Sequence, residues 1–395
     1  MEKIVLVNPW VLPVPGVKGG AIESLIDILI DQNEIYHRFD FIVISIYDKD
    51  AERVAEKYKY TQFIYIKSTF ISKFLQRLYG ILKYHFFKWD IHWLFRYYYI
   101  AIKHIKNILP ELVIVEGGMY EQFTQLSNII PKERMVAYLH SEVYAGDEEY
   151  TTFGNAFAIS EFIKERWCSN GKFSLKNVSV IHNVVDEDIF RIVSIESNEI
   201  IQLKKELNID LQKFVLLYSG RIIPEKGVLE LVNAVKDMKN VELVIVGGTN
   251  FADSKSTSYL ECVKKVISKT DNIHMVGYKP KAVIPLYYSI ADVVCVPSLW
   301  QEPAALVTIE AMLMSKPLIV TNVGGMVEYV DKDSAIIVEN DNNIINSLKN
   351  AVKFMMEDKK KLDEMSRKAY ERGMLFTKKK YYDEFCDRCC ELIYK

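Results

Sequence analysis

Two glutamates, Glu302 and Glu310, stand eight residues apart in the otherwise apolar stretch SLWQEPAALVTIEAMLMSKPLIV, residues 298–320. A carboxylate buried among alanine, leucine and methionine is costly unless it has a partner, so Glu310 in particular suggests a function. Without a metal, such carboxylates are good acceptors for sugar hydroxyls, and backbone amides at a helix start suit a phosphate. The structural alternative makes Glu302 a partner of the helix dipole and Glu310 a paired acid of the core.

The proline after Glu302 predicts that a helix begins there, with Pro303 in its first turn. Because about 7.2 residues complete two turns of helix, Glu302 and Glu310 should lie near the same face. We therefore expect Glu302 at the mouth of the helix and Glu310 two turns inside it, deeper in the wall of a site.

A pair of cations precedes another predicted helix in SGRIIPEKGVLELVNAV, residues 219–235. Arg221 offers a fixed fork of donors for phosphate oxygens, and Lys226 adds a mobile point charge. Both would lie near the positive end of the helix that follows, where an anion is favoured further. The alternative is a solvated surface pair.

The elements that must position these residues follow a regular alternation of short β-branched runs and longer helical patterns, which is typical of parallel α/β folding. Candidate strands in the first half are KIVLVNP, DFIVISIY, QFIYIK, LVIVEGG, MVAYLH, AFAIS and VSVIHNVV, and in the second half FVLLYSGR, ELVIVGG, IHMVGY, DVVCVPS, PLIVTNVGG and AIIVEN. The 395 residues exceed one hydrophobic core, so each half should form its own doubly wound sheet, with a hinge near residues 185–197.

Ligands of such sheets bind beyond the carboxyl ends of the strands, so the residues after each strand are the candidates for a site in a cleft between the halves. Gly19 and Gly20 follow the first strand and open a helix whose free N–H groups suit an anion, although tight strand-to-helix turns also use glycine. His140 follows the fifth strand. Gly277 and Tyr278 follow a strand of the second half.

The overall composition narrows the function classes. A net charge of −2 argues against nucleic acid as a partner. With neither a signal-peptide pattern nor an apolar run of about 18 residues, we expect a soluble or peripheral protein in the cytoplasm. Six cysteines are few for this length and favour reduced thiols. Cys386, Cys389 and Cys390 predict a small buried helix face rather than a metal site.

Together, the motifs SGRIIPEKG, EPAALVTIEAM and KPLIVTNVGGMVEYV resemble the retaining glycosyltransferases of family four, the glycosyl transferases group 1, which have the GT-B fold. The likeness covers most of the second half and extends more loosely into the first through KGGAIESL, AISEF and HNVVDEDIF. It implies two Rossmann-like domains facing a cleft. Residues 1–190 would bind the acceptor, joined by a C-terminal helix over 377–395, and residues 191–376 would bind a nucleotide sugar.

By this resemblance, Arg221 and Lys226 hold the donor diphosphate and stabilise it as it leaves, and neither looks like a core residue. Glu302 grips the donor sugar together with the backbone that follows it. That backbone comprises Pro303, Ala304, Ala305 and Leu306. Many members have glycine where this chain has Ala305, which makes the phosphate-contacting turn less open here.

The remaining implied roles fall on other strand ends. Glu310 accepts the ribose hydroxyls, and Gly19 and Gly20 approach the phosphates or the acceptor. His140 lies by the transferred sugar, where the alternative is a satisfied strand-end histidine. The backbone at Gly277 and Tyr278 meets the nucleobase.

The implied reaction moves a hexose, with UDP as the expected nucleotide, to a glycan acceptor with retained anomeric configuration and without metal or cofactor. A lipid-linked acceptor in bacterial cell-surface or capsular polysaccharide synthesis is expected. One alternative is a GT-B nucleotide-sugar epimerase, which would need general acid and base groups around the sugar. Another is a non-catalytic sugar-nucleotide-binding partner subunit, against which the intact cations and glutamates argue.

Residues 67–106 suggest where such an enzyme works. This stretch holds eight Lys and Arg residues against one acid, together with two tryptophans and many Phe and Tyr residues. Basic groups interleaved with aromatics suit an anionic membrane surface. We therefore expect a peripheral protein on the inner face of the cell membrane. The alternative is ordinary helices whose aromatics face the core and whose lysines are solvated.

Overall fold

The computed structural model describes residues 1–67, 96–194, 196–210, 213–249 and 257–394. The chain divides into two compact units. Unit 1 comprises residues 1–183 and 378–395, and unit 2 comprises residues 184–377. Each is described by itself below.

Unit 1 is built on a seven-stranded sheet in the order β3-β2-β1-β4-β5-β6-β7, in which every pairing is parallel. Its strands are β1 (Lys3–Val7), β2 (Asp40–Ile46), β3 (Thr61–Ile66), β4 (Leu112–Val115), β5 (Met135–Leu139), β6 (Asn155–Ala158) and β7 (Val178–Val180). Its helices are α1 (Ala21–Tyr36), α2 (Lys49–Ala55), α3 (Arg96–Ile108), α4 (Asp147–Thr152), α5 (Glu161–Cys168) and the C-terminal α13 (Lys378–Ile393), with 3-10 turns at Tyr120–Leu126, Lys132–Arg134 and Leu175–Asn177.

Unit 2 contains a six-stranded parallel sheet in the order β10-β9-β8-β11-β12-β13. Its strands are β8 (Phe214–Ser219), β9 (Val241–Val246), β10 (Ile273–Gly277), β11 (Val293–Val296), β12 (Leu318–Thr321) and β13 (Ala335–Val338). Its helices are α6 (Asn198–Leu207), α7 (Val228–Val235), α8 (Ser258–Ile267), α9 (Ile284–Ile290), α10 (Leu306–Leu313), α11 (Ile344–Glu357) and α12 (Lys359–Gly373), with 3-10 turns at Pro224–Lys226, Lys281–Val283 and Gly324–Glu328.

The two doubly wound parallel sheets predicted from the sequence are therefore both present. Central strands such as β1, β4, β8 and β11 are almost wholly buried because helices cover both faces of each sheet. This burial explains why the strands appear as continuous β-branched runs rather than as alternating patterns. In both sheets the strand order reverses beside the first strand, between β1 and β4 in unit 1 and between β8 and β11 in unit 2. Loops that follow these strands form the crevice where ligands of such sheets bind.

The last helix, α13, packs in unit 1 against α1. Phe385 is fully buried with its ring centroid 6.2 Å from that of Phe41 and 5.9 Å from that of Phe157. Tyr382 donates a hydrogen bond to the Asn33 side chain at 2.7 Å. Cys386 and Cys389 are buried beside them as free thiols, which fits the buried helix face predicted from their spacing.

The basic aromatic stretch is described only in part, since residues 68–95 lie outside the described residues. In α3, Tyr97 and Tyr98 are buried, and Tyr97 donates hydrogen bonds to the carbonyls of Asn8 and Ile44. Tyr99 on the same helix is 52% exposed. None of the helices in the described ranges combines the length and the apolar character that a bilayer crossing needs.

Candidate functional site

A cavity of about 280 Å³ opens in unit 2 beyond the carboxyl ends of β8, β9 and β10. Its lining carries three cationic side chains and no carboxylate among the described residues. The lining residues are Ser219, Gly220, Arg221, Lys226, Val246, Gly247, Gly248, Tyr278, Lys279 and Ile284. A pocket of this composition suits an anionic ligand.

Glycines form the floor of the cavity because two strand ends approach each other there. Gly247 has φ +145°, and a Cβ on it would lie 1.8 Å from the Gly220 carbonyl oxygen. Only glycine allows this approach. Hydrogen bonds then fix the floor, from the Gly220 amide to the Val246 carbonyl at 3.0 Å and from the Ile222 amide to the Gly248 carbonyl at 2.9 Å.

Arg221 leaves this floor directly after β8, and its side chain is exposed. Its backbone carbonyl accepts a hydrogen bond from the buried Tyr218 hydroxyl at 2.5 Å, so the main chain under the guanidinium is fixed. Within the described chain the guanidinium forms no hydrogen bond or ion pair. Its donors are therefore available to a phosphate.

Lys226 lies in a different environment. Its ammonium forms an ion pair with Glu302, which also accepts a hydrogen bond from the Ser298 hydroxyl at 2.5 Å. The Lys226 side chain is 20% exposed and that of Glu302 only 3%. The ammonium also lies 5.6 Å from the ring centroid of Trp300. Lys226 therefore has a structural contact that the sequence did not indicate, because it pairs with a buried carboxylate.

The loop that carries Glu302 is held by a turn that follows β12. The Gly325 amide donates to the Glu302 carbonyl at 2.7 Å, and the Gly324 amide donates to the Gln301 side chain at 2.8 Å. A Cβ on Gly324, whose φ is +53°, would lie 2.2 Å from the Glu302 carbonyl oxygen. Gly324 thus allows backbone to pack directly on backbone.

The helix that follows this loop begins later than the sequence predicts. Helix α10 begins at Leu306 with Ala305 as its N-cap, so Pro303 lies before the helix and not in its first turn. The Thr308 amide and hydroxyl both bond to the Ala305 carbonyl, at 2.9 and 2.6 Å. Glu302 is consequently a loop residue, and helical periodicity does not relate it to Glu310. Ala305 and Leu306 supply amides at the helix start, which lack partners inside the helix, and Ala304 directly precedes them.

Glu310 lies in the second turn of α10 and is partly buried. It accepts a hydrogen bond from the hydroxyl of the buried Tyr288 at 2.8 Å. Burial raises the pKa of Glu310 above its ordinary value, while the bond from Tyr288 and the charge of Lys281 lower it. Glu310 is therefore a carboxylate that is partnered by the hydroxyl of Tyr288.

Gly277 ends β10, and its carbonyl accepts from the Gly247 amide at 2.9 Å. Tyr278 follows with its side chain 53% exposed, at the cavity that Lys279 also lines. Unit 2 thus brings together Arg221, Lys226 and Tyr278 around one cavity, and Gly277 directly precedes its lining residue Tyr278.

Gly19 and Gly20 lie in unit 1, where Gly20 is the N-cap of α1. The first turn of this helix contains the buried Glu23, whose carboxylate lies close to Gly20. Burial raises the pKa of Glu23 above its ordinary value, against hydrogen bonds from its own backbone amide and from Asn8. The Glu23 carboxylate therefore lies at the N-terminus of α1, the position for which the sequence suggested a bound anion.

His140, also in unit 1, follows β5 and is nearly buried, with 7% of its side chain exposed. Its Nε2 lies 2.8 Å from Oε2 of Glu116, a residue that directly follows β4. Its ring also stacks on that of Tyr138.

The partners of the predicted residues, namely Ser298, Tyr288 and Glu116, were not predicted from the sequence. Glu116 had a usable signal, since it follows a strand next to the one that His140 follows, but it was counted as part of its strand. Ser298, two residues after β11, had the same signal and was likewise counted as part of its strand, whereas Tyr288 lies within a helix and carries no such signal. Across the described ranges, no group of three His, Cys, Asp or Glu side chains is arranged to hold a metal ion.

Comparison with known proteins adds three kinds of likeness. The family described as Glycosyl transferases group 1 matches residues 199–372. YtcC of Bacillus subtilis (strain 168) is 24% identical over 380 residues, which cover 91% of this chain and 84% of that protein. Lipopolysaccharide 1,2-N-acetylglucosaminetransferase of Salmonella typhimurium is 29% identical over 228 residues, 55% of this chain and 56% of that enzyme.

Among solved structures, Anabaena Alr3699/HepE in complex with UDP superposes with a TM-score of 0.73 at 17% identity, covering 98% of this chain and 100% of the other. The likeness over both chains confirms the GT-B fold class predicted from the sequence. The chain therefore has the GT-B fold, and its residues 199–372 match the family described as Glycosyl transferases group 1.

Proposed function

We propose that the protein transfers a hexose from a UDP-linked donor to a glycan acceptor with retained anomeric configuration and without a metal ion. The observation that carries this proposal is the cavity of unit 2, where three cations and no described carboxylate line a glycine floor at the carboxyl ends of the strands. A diphosphate carries the charge that such a cavity complements.

In this reaction the bond from the anomeric carbon to the diphosphate oxygen breaks, the oxygen of an acceptor hydroxyl bonds to that carbon, and the hydroxyl proton passes to the departing diphosphate. Arg221 binds the diphosphate and stabilises the charge that develops on it as it leaves. Lys226 contacts the same phosphates from its position beside Glu302, with which it forms an ion pair, and Glu302 grips the donor sugar. The amides of Ala304, Ala305 and Leu306 assist at the start of α10.

Glu310 accepts the ribose hydroxyls, with Tyr288 holding one of its oxygens. The backbone at Gly277 and Tyr278 meets the base, and uracil is assigned on the likeness to a structure solved with UDP. His140 is assigned to the transferred sugar. Gly19 and Gly20 are assigned to the acceptor rather than to phosphate, because the nearby Glu23 carboxylate would repel a second anion.

Donor identity and catalysis are tested together. A thermal-shift panel of UDP-, GDP- and dTDP-sugars reports binding, since a ligand of the native state raises stability by mass action. Slow donor hydrolysis without acceptor, followed by NMR of the released sugar, then separates an enzyme from a binding subunit. We expect stabilisation by a UDP-hexose and hydrolysis with the anomeric configuration retained. Stabilisation without any turnover would favour the non-catalytic subunit.

The acceptor is proposed to be a lipid-linked glycan at the cytoplasmic face of the membrane, on the strength of the basic aromatic stretch over residues 67–106. In its described part, Arg96, Tyr99 and Lys103 are exposed. Each cation near an anionic bilayer contributes about 1 kcal/mol. The likeness to a lipopolysaccharide 1,2-N-acetylglucosaminetransferase supports an acceptor of this class.

Co-sedimentation with liposomes checks this location. Binding should require anionic lipid, weaken with salt and fall when Lys73, Arg77, Lys83 and Lys88 become glutamate. Absence of binding at low salt would contradict a peripheral enzyme, and equal binding to neutral vesicles would contradict the electrostatic explanation.

A further inference from the structure

A buried carboxylate stands behind His140 in unit 1. Glu116 is 1% exposed and directly follows β4, where its amide still pairs with the Val7 carbonyl of β1 at 3.0 Å. Its Oε2 lies 2.8 Å from Nε2 of His140. The other oxygen, Oε1, is buried and has no hydrogen-bond partner in the described chain. The imidazole is thus the side chain that satisfies this carboxylate.

The ring of His140 is restrained from a second direction. It stacks on Tyr138 with the ring centroids 4.4 Å apart and the planes at 28°. The Tyr138 hydroxyl in turn lies 3.2 Å from the hydroxyl of Tyr381 on α13. Stacking fixes the plane of the imidazole, and the bond to Glu116 fixes its rotation within that plane.

A carboxylate accepts hydrogen bonds and does not donate them, so Nε2 of His140 carries the proton that Glu116 receives. In the neutral imidazole, Nδ1 is then an acceptor. Within the described residues Nδ1 has no hydrogen-bond partner. The nitrogen that remains for a substrate hydroxyl is therefore determined by Glu116.

We propose that Glu116 is a positioning residue for the transfer reaction, which holds His140 as the Nε2-protonated tautomer and leaves Nδ1 for a hydroxyl of the transferred sugar. This role rests on the proposed function, because it takes His140 to meet that sugar. A purely structural Glu116 would support the fold without any consequence for the tautomer of His140 during turnover.

The first test needs no variant. The seven histidines are labelled with ¹⁵N, and long-range proton–nitrogen spectra distinguish the two tautomers of each ring. The His140 signals are assigned by their loss in His140→Gln. We expect Nε2 to be protonated in the wild type. Protonation at Nδ1 instead would overturn the proposal, whether or not sugar transfer has been observed.

The second test uses kinetics with UDP-hexose. Glu116→Ala should lower kcat by roughly tenfold or more, as happens when the carboxylate partner of a functional histidine is removed. Its KM for the donor should stay within about twofold. Glu116→Gln keeps an oxygen that can accept from Nε2, so it should retain the tautomer and recover most of the lost kcat.

Glu111→Gln provides a matched control just before the opposite end of β4, where the Glu111 carboxylate accepts a hydrogen bond from the Lys3 amide at 2.7 Å. It should leave kcat and the His140 signals unchanged. Wild-type kcat in a folded Glu116→Ala would overturn the positioning role while leaving the proposed function intact. If the wild type transfers no sugar, the proposed function is wrong. The tautomer measurement then still tests whether Glu116 holds His140 in the Nε2-protonated form.

Discussion

Arg221 and Lys226 carry the same charge at the same cavity, but their surroundings differ, and so do their roles in stability and ligand binding. Arg221 is exposed and has no ion pair within the described chain, so it can give its whole fork to a ligand. Lys226 is paired with the buried Glu302. Removing one partner of a buried pair leaves an uncompensated charge, which costs about 3–5 kcal/mol when both are fully buried.

Lys226→Ala should therefore lower the free energy of unfolding by roughly 2–4 kcal/mol, somewhat less than in a fully buried pair because the lysine is partly exposed. Arg221→Ala should change it by about 0.5 kcal/mol or less. Urea denaturation measures both. Adding Glu302→Gln to Lys226→Ala removes the unpaired charge and should recover part of the loss. A double variant no more stable than Lys226→Ala would show that the pair does not contribute in this way.

At the scale of elements, the loop between β1 and α1 is anchored by a titrating side chain. The Gly16 amide donates to Asp27 of α1 at 2.9 Å, and the other oxygen of Asp27 is buried without a hydrogen-bond partner in the described chain. Burial raises the pKa of Asp27 from 3.8 to about 6, against the bond from Gly16. The folded state therefore holds a proton that the unfolded state releases.

Because the folded pKa exceeds the unfolded pKa, stability due to Asp27 should fall as the pH rises from about 4 to about 6. Asp27→Asn stays neutral and can still accept from Gly16. The free energy of unfolding of Asp27→Asn, relative to that of the wild type, should therefore rise by on the order of 2 kcal/mol between pH 4 and pH 7. Thermal unfolding across this range measures the difference. The exposed Asp363→Asn is the control, and a wild type and Asp27→Asn with parallel pH curves would contradict the expectation.

The same scale shows what the sequence could predict. Every strand of both sheets coincides with a predicted apolar run, and only β3, β6 and β9 begin one residue before it. Parallel strands covered on both faces must be continuously hydrophobic, which makes them visible in the sequence. The start of α10 could not be predicted, because contacts from Gly324 and Gly325, distant along the chain, hold the preceding loop out of the helix. The candidate functional residues at strand ends could be predicted because the apolar runs show where each strand ends. Their partners were not, since side-chain pairing depends on packing that local sequence does not encode.

At the scale of the molecule, the chain passes through unit 2 and returns to complete unit 1 with α13. Phe385 is the centre of that return, with aromatic contacts to Phe41 and Phe157. Phe385→Ala should lower the stability of unit 1 by about 3–5 kcal/mol, the usual cost of removing a fully buried phenylalanine. Phe354→Ala, on a 44% exposed side chain of α11, is the control and should cost much less. Hydrogen exchange locates the effect, and protection lost only in unit 2 would contradict the assignment of α13.

The most direct test that unit 2 holds a nucleoside diphosphate is a calorimetric measurement of binding. The ligands are UDP, UMP and 2′,3′-dideoxy-UDP, and the proteins are the wild type, Arg221→Ala and Glu310→Gln. Charge-assisted hydrogen bonds contribute about 1.5–3 kcal/mol, so Arg221→Ala should weaken UDP by roughly 10- to 100-fold and UMP by less. Glu310→Gln should weaken UDP and UMP alike but leave the dideoxy nucleotide unaffected, because that nucleotide lacks the ribose hydroxyls. Wild-type affinity of Arg221→Ala for UDP, with UMP bound equally well, would contradict a diphosphate site in this cavity.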